Sequence, residues 1–430
     1  MREPADPPFP ASSRCINVIG PLSSASGLGN TSRLFTEVLR HNGYQVAGFD
    51  IESYAAAEVP PLEHGMLKTR LDDLPFDHNL VIASLNRLPQ LWIRHAKELV
   101  APRFRNAGLV FWELPTIPYA WLPSLRMFDV ILACSHYVRQ ALEAAIPEVP
   151  TIFAEHPLAR HTVDRDRQAA RLRFGIPAER TAFFCGLDLV SGTSRKNPAA
   201  TIRAWLQAFP NDADVCLVIK LNGNSTRDLP NDGLFELLAQ MRAEPRIILI
   251  DQRLPHDDLM ALYDCCDVCV SLHRSEGLGL IPMESMSMGK LVVATGYSGN
   301  MTFMTEQNSL PVPYRLIPPM PEPAYFSRRF AGPTSAWADP DADEAARLIR
   351  AAKDPALLQR LGQQAFTDIR QRQQTAWDAD YLAQMTARLR ASDRHLLRPA
   401  LRRQAIFQEF WDETLRRKNV RALLGRITSR

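Results

Sequence analysis

Short apolar runs alternating with amphipathic stretches constrain this chain more than any other feature. "CINVIGPL" reads as a first strand. The turn "SSASGLGN" follows, then the helical pattern "TSRLFTEVLRHNG", with Asn30 or Thr31 as its cap and Gly43 as its end. The strands "YQVAGFDI", "NLVIASL", "AGLVFWEL" and "DVILACS" continue the series, and the helix "HYVRQALEAA" follows the last. Runs rich in Val, Ile and Leu, polar on neither face, suit parallel strands covered on both sides. Their alternation with helices predicts an α/β fold. The pattern then restarts with "RTAFFCGLDL", "NPAATIRAWLQAF", "DVCLVIKL", "GLFELLAQMRAE", "RIILID", "HDDLMALYDCC", "DVCVSL", "IPMESMSMG" and "LVVAT". Two doubly wound units of similar size are therefore expected.

The polar stretch between 158 and 172 sets the boundary. Residues 1–14 read as a disordered tail, 15–165 as a first Rossmann-like domain, and 166–390 as a second. Residues 391–430 read as a basic amphipathic helical tail. Six prolines between 311 and 325 predict a stiff surface loop without regular structure. Helices resume at "DADEAARLIRAAKD" and from Pro355 onward. From Arg394 to Arg430 ten Lys/Arg face three acids, a net of +7, and Ile406, Phe407, Phe410, Trp411 and Leu415 fall near one helical face. Such a helix either docks on the protein's own first domain or lies on an anionic membrane surface.

Other function classes recede on composition. The net charge is only +3, unlike the one-sided charge of a nucleic-acid binder. No apolar run approaches the ~18 residues of a membrane span. The start has no apolar signal core, so a cytoplasmic protein is expected, with peripheral contact at an inner membrane through the tail as an option. The seven cysteines mostly lie in apolar runs and read as reduced packing residues. Cys265, Cys266 and Cys269, with His273 nearby, hold one Cys-x-x-Cys but no second pair. A buried strand after a helix end explains them better than zinc.

Three segments point toward a cleft at the carboxyl ends of the strands, where ligands of doubly wound sheets bind. The first is "SASGLGNTS". Gly27 and Gly29 would let the backbone approach a ligand, although Ser32 breaks the full dinucleotide fingerprint and a packing turn would look the same. The second is "SGTSRKNP". Arg195 and Lys196 precede a helix opened by Pro198, where the helix dipole disfavours cations. A bound diphosphate would explain them; a solvated surface pair is the plain alternative. The third is "HRSEGLGLIPMES". Main-chain N–H groups of Gly277, Leu278 and Gly279, at the start of a helix expected near Pro282, would hold a phosphate. Glu284 in the first turn would accept from ribose hydroxyls, and Glu276 would reach hydroxyls on the attached sugar. Carboxylates that only complement a helix dipole are the alternative.

These segments resemble glycosyltransferase family 4 (glycosyl transferases group 1), retaining enzymes of the GT-B architecture. "SEGLGLIPMESMSMGKLVVATGYSGNMTFM" is similar to the family's E-x7-E region, and "GLDLVSGTSRKNPAATIRAW" to its strand, Arg-Lys pair and helix. "FWELPTIPYAWLPSLRMFDVILACSHYV" and "WADPDADEAARLI" are similar to segments of bacterial members that build surface polysaccharides. Together they cover most of residues 15–390. The resemblance implies that Arg195 and Lys196 neutralise the donor diphosphate, that Glu276 lies near the donor sugar, and that Glu284 lies at the ribose. It implies that Gly27 and Gly29 lie against the phosphates and that His273 faces the sugar. Many members place a histidine in the first domain where this chain has Trp112 and Glu113. Glu113 then either orients the acceptor or anchors the turn before Pro115.

The implied reaction moves a sugar from a nucleotide diphosphate donor to an acceptor hydroxyl, with retention, on a lipid-linked or polysaccharide acceptor. Lipopolysaccharide, capsule or exopolysaccharide synthesis is the implied setting. No cofactor and no essential metal is expected. Asp-x-Asp strings at 164–166, 212–214, 339–343 and 378–380 read as polar or helical, not as strand ends. A GT-B epimerase or hydrolase, or a silent nucleotide-sugar-binding assembly protein, is the competing reading.

Overall fold

The computed structural model describes residues 14–404 except 53–64, 96–98, 102, 160–165, 188–191, 222–238, 240–241, 321–331, 395–397, 399 and 402. The tail at 1–13, the apolar stripe at 406–415 and most of "GLFELLAQMRAE" therefore lie outside the described residues.

Seven strands form the first sheet: β1 Cys15–Gly20, β2 Gln45–Asp50, β3 Leu67–Lys68, β4 His78–Ser84, β5 Arg105–Phe111, β6 Val130–Ala133 and β7 Thr151–Phe153. Their spatial order is β3-β2-β1-β4-β5-β6-β7, parallel throughout. The second sheet holds β8 Thr181–Gly186, β9 Val215–Leu221, β10 Ile247–Asp251, β11 Val268–Ser271, β12 Leu291–Thr295 and β13 Leu310–Val312. Its order is β10-β9-β8-β11-β12-β13, also parallel. The strand order of each sheet reverses once, between β1 and β4 and between β8 and β11. Those reversals are the crevices where doubly wound sheets take ligands. The two-domain GT-B architecture expected from the sequence is present.

Central strands are buried on both faces, as their unbroken apolar runs require: every residue of β6, β9 and β12 is buried. Burying a Val, Leu, Ile, Phe or Met side chain contributes about 1.5–3 kcal/mol, so each such strand stabilises its sheet strongly. Six of the seven cysteines are buried and all are free.

Three expectations need correction. The proline-rich stretch is not devoid of regular structure. β13 and a further strand, β14 Tyr314–Ile317, fall within it, and β14 pairs antiparallel with β15 Trp337–Pro340. Pro311 is tolerated because β13 lies at the sheet's edge, where a missing N–H breaks no second ladder, and Pro313 separates the two strands. The Asp339–Asp341 string stands at the end of β15, not in a polar loop. Asp339 lies 3.0 Å from Arg315 and 3.6 Å from Arg274, while Asp341 caps the following helix at Glu344 N–H. Finally, the helix Ala379–Arg390, expected in the second domain, packs against the first. Leu382, Met385 and Leu389 join the cluster around Ile16 and Phe35, and Tyr44 meets Thr386. Asp378 caps this helix and breaks it from Pro355–Thr375.

The chain then stays on the first domain. Ser392 donates to Asp129, Arg394 donates to the carbonyls of Arg126, Phe128 and Glu148, and the fully buried Arg398 pairs with Asp129. The tail thus docks on its own first domain as far as it is described. No helix among the described residues is long and apolar enough to cross a membrane.

Candidate active site

The crevice between β8 and β11 gathers most of the expected residues. The short helix Thr193–Lys196 follows β8, and Asn197 at φ 51° turns the chain into the helix Pro198–Ala208. This turn throws Arg195 and Lys196 toward the loop after β11. Lys196 Nζ lies 2.5 Å from Glu276 Oε1, and Arg195 Nη1 lies 3.1 Å from Glu276 Oε2. Arg195 also donates to the Ser275 carbonyl at 2.8 Å. The cations are not a solvated surface pair: their side chains are 3% and 17% exposed. Burial alone would raise the Glu276 carboxyl, but Lys196, Arg195 and His273 together bring it down to about 2.

Glu113 reaches this cluster from the first domain, at the end of β5. Its carboxylate lies 4.0 Å from Arg195, and its carbonyl accepts from Ser275 Oγ. Burial pushes the Glu113 carboxyl above its ordinary range; Arg195 opposes the shift and Glu276 adds to it. Trp112 is buried beside it and donates to the Thr116 carbonyl, so the segment after β5 is stiffly held.

The loop Gly277–Gly279 leads into the helix Leu280–Ser287. Gly279 sits at φ 91°, a left-handed conformation that suits glycine, and an added Cβ would meet Asn300 Cβ at 3.0 Å. A Cβ on Gly277 would come 3.1 Å from the Trp112 carbonyl across the domain boundary. Leu278 is buried and packs into the core, so the loop's polar offering is its main chain. The N–H groups of Gly277 and Leu278 donate to no other described residue.

Glu284 is 6% exposed, and its carboxylate accepts no hydrogen bond from a described residue. Burial pushes its pKa up to about 8. The helix starts two residues earlier than the proline suggested, so Glu284 is its fifth residue and lies outside the first turn. The dipole therefore does little for it, which weakens the alternative that this carboxylate serves the helix start.

Two expected residues are placed differently. His273 is fully buried beneath the loop, not facing the cleft. Its Nε2 lies 3.0 Å from Asn300 Oδ1, and Nδ1 lies 3.1 Å from Ser271. Burial lowers its pKa, and Glu276 opposes the shift. The glycine turn also differs. The first helix runs Gly27–His41, capped by Ser26, whose Oγ accepts from Gly29 N–H, not by Asn30 or Thr31. A Cβ on Gly29 would lie 2.1 Å from the Ser24 carbonyl, so Gly29 is required for packing. Gly27 faces open space at the helix start, consistent with a ligand approach.

Several site residues were not anticipated. Ser135 caps the helix His136–Ala145 and donates to the Gly277 carbonyl at 2.6 Å. His136 N–H donates to Thr302 Oγ1, and Tyr137 and Tyr297 hydroxyls lie 3.3 Å apart. Ser135, His136 and Tyr137 follow β6 and Tyr297 follows β12, and that place after a strand end is the signal that could have found them. These contacts tie the first domain directly to the loop that carries Glu276. Among the described residues no three His, Cys, Asp or Glu side chains gather as a metal would need.

Comparison with known proteins fits this geometry. Residues 185–320 match the family model described as glycosyl transferases group 1. A D-inositol 3-phosphate glycosyltransferase of Corynebacterium aurimucosum is 27% identical over 138 residues, which is 32% of this chain and 32% of that protein. The match thus spans about a third of the relative's length. Sucrose-phosphate synthase from Thermosynechococcus elongatus superposes with a TM-score of 0.60 at 15% identity, covering 88% of this chain and 99% of that one. Anabaena HepE in complex with UDP-glucose gives 0.58 at 15% identity, covering 87% and 98%. The E. coli trehalose-6-phosphate protein bound with UDP-2-fluoro glucose gives 0.59 at 12% identity, covering 86% and 99%. The chain therefore has the GT-B fold, and its second domain carries the segment similar to glycosyl transferases group 1.

Proposed function

We propose that this protein is a retaining glycosyltransferase of family 4 that moves a sugar from a nucleotide diphosphate to an acceptor hydroxyl. A lipid-linked or polysaccharide acceptor in surface polysaccharide synthesis is the setting. One observation carries the reading: Arg195, Lys196 and Glu276 converge beside the N–H groups of Gly277 and Leu278 at the strand reversal of the second sheet. The solved neighbours with UDP-glucose and UDP-2-fluoro glucose support a nucleotide-sugar as donor.

In this reading the diphosphate lies against Lys196, Arg195 and the loop N–H groups. Glu284 accepts from the ribose hydroxyls. Glu276 moves from the cations to the hydroxyls of the donor sugar. As the glycosidic bond to the phosphate breaks, negative charge grows on the leaving oxygen, and preorganised donors aimed at it lower the barrier. The acceptor oxygen bonds to the anomeric carbon on the same face, and its proton passes to the departing phosphate. No protein nucleophile is needed. Glu113, whose carboxyl burial pushes upward, shares Arg195 with Glu276 from the first-domain side of the site. His273 acts from below by holding Asn300, which packs against Gly279.

The test is incubation with a panel of GDP-, UDP- and dTDP-sugars, with and without a lipid-linked acceptor. Nucleotide release that requires acceptor, with retained anomeric configuration in the product, supports transfer. Isomerised or hydrolysed donor without acceptor, or binding without turnover, refutes it.

A further inference from the structure

Among the described residues only two non-glycines have positive φ, and both border the candidate site: Asn197 at 51° and Ser298 at 76°. Asparagine adopts the left-handed region readily. Ser298 does not fit that excuse. Its ψ of −145° puts it in a region that is essentially glycine's own, so its backbone is strained. Glycine would satisfy the turn better, and the next residue is already one. The serine hydroxyl must then be doing something that glycine could not.

Its contacts say what. Ser298 Oγ accepts from the N–H of Glu276 at 2.8 Å, and Gly299 N–H donates to the Glu276 carbonyl at 2.9 Å. Glu276 is thus gripped on both sides of its Cα by consecutive residues of one turn. The fit is close: a Cβ on Gly299 would lie 2.2 Å from the Gly277 carbonyl. Asn300, next in sequence, pairs with His273 below the same loop. Ser298 itself is 8% exposed, and its hydroxyl donates to the Tyr297 carbonyl.

We propose that Ser298 is a positioning residue that fixes the main chain of Glu276, and with it the pivot from which the carboxylate reaches the cations and the donor sugar. The role in catalysis rests on the transfer reading above; the positioning does not. Ser298→Ala removes the hydroxyl and keeps the strain. Ser298→Gly removes both. Amide hydrogen exchange on the full chain, read over the peptide containing residues 275–279, tests the positioning without substrate. Exchange at least tenfold faster in both variants supports it; exchange equal to wild type overturns it.

Turnover then separates the two ideas. With the donor identified by the nucleotide-sugar panel, both variants lose about tenfold or more in kcat, while KM for the donor stays within about twofold. Ser298→Gly also melts above Ser298→Ala, because it relieves the backbone strain that alanine keeps. A merely structural serine gives the opposite result: Ser298→Gly as active as wild type, which overturns the proposal. Faster exchange in the variants, with no transfer by the wild type, leaves the positioning standing and refutes only the transfer reading.

Discussion

Glu284→Gln is the most informative single change. Glu284 is nearly fully buried, no described residue hydrogen-bonds its carboxylate, and burial carries its pKa from 4.5 to about 8. A folded-state pKa above the unfolded one means that the native state holds the extra proton. The associated stability is fully present below pH 4.5 and is lost as pH rises to about 8. At ~1.36 kcal/mol per pKa unit the ceiling is about 5 kcal/mol. Water entry and relaxation recover part of such a penalty, so a loss of roughly 2–3 kcal/mol is expected. Glutamine keeps the shape without the charge. Free of this titration, the variant should therefore melt close to wild type at pH 5 and about 2–3 °C above it at pH 8.5, at ~1 °C per kcal/mol for a chain of 430 residues. Binding should move the other way. Nucleotide-sugar affinity should fall about 10- to 100-fold, as for a lost charged hydrogen bond. The donor's diphosphate, esterified at both ends, does not titrate here. Wild-type affinity should then rise from pH 6 to 8 as the carboxylate forms, and the variant's should not. Differential scanning fluorimetry and calorimetry across pH give both curves. Parallel melting curves would refute the desolvation argument, and equal affinities would refute the ribose contact.

Other consequences are simpler. Lys196→Ala should cut kcat about 10²–10³-fold, as for loss of one preorganised donor, with little change in Tm because Arg195 still pairs Glu276. His273→Ala should destabilise by about 2–4 kcal/mol in urea, since it opens a buried cavity and leaves Asn300 Oδ1 without its partner. Asp129→Ala should cost about 3–5 kcal/mol in the same assay, because it strands the buried Arg398 and frees Ser392.

Much of this was legible from residue patterns. Two parallel sheets announce themselves because strands buried on both faces cannot alternate in polarity. "SRKNP" and "SEGLG" also stood out, since cations before a helix and carboxylates among glycines need a reason. Contacts between distant segments were not legible. Nothing near His273 shows that Asn300 will satisfy its ring and take it out of the cleft. Gly29 looks like a ligand glycine until the Ser24 carbonyl is seen against it. The hairpin of β14 and β15 hid behind its prolines, which an edge position tolerates. Ser135 and Ser298 act across the domain boundary and across the site loop, and no local periodicity encodes such partners.

The central claim is that one sugar diphosphate binds where the loops after β8 and β11 meet. A crystal structure with the nucleotide-sugar that stabilises the protein most in a thermal-shift panel tests it directly. The account predicts phosphate oxygens at ~3 Å from Lys196 Nζ and from the N–H groups of Gly277 and Leu278, with the ribose on Glu284. A donor bound elsewhere, with Glu276 still closed on Lys196 and Arg195, would contradict it.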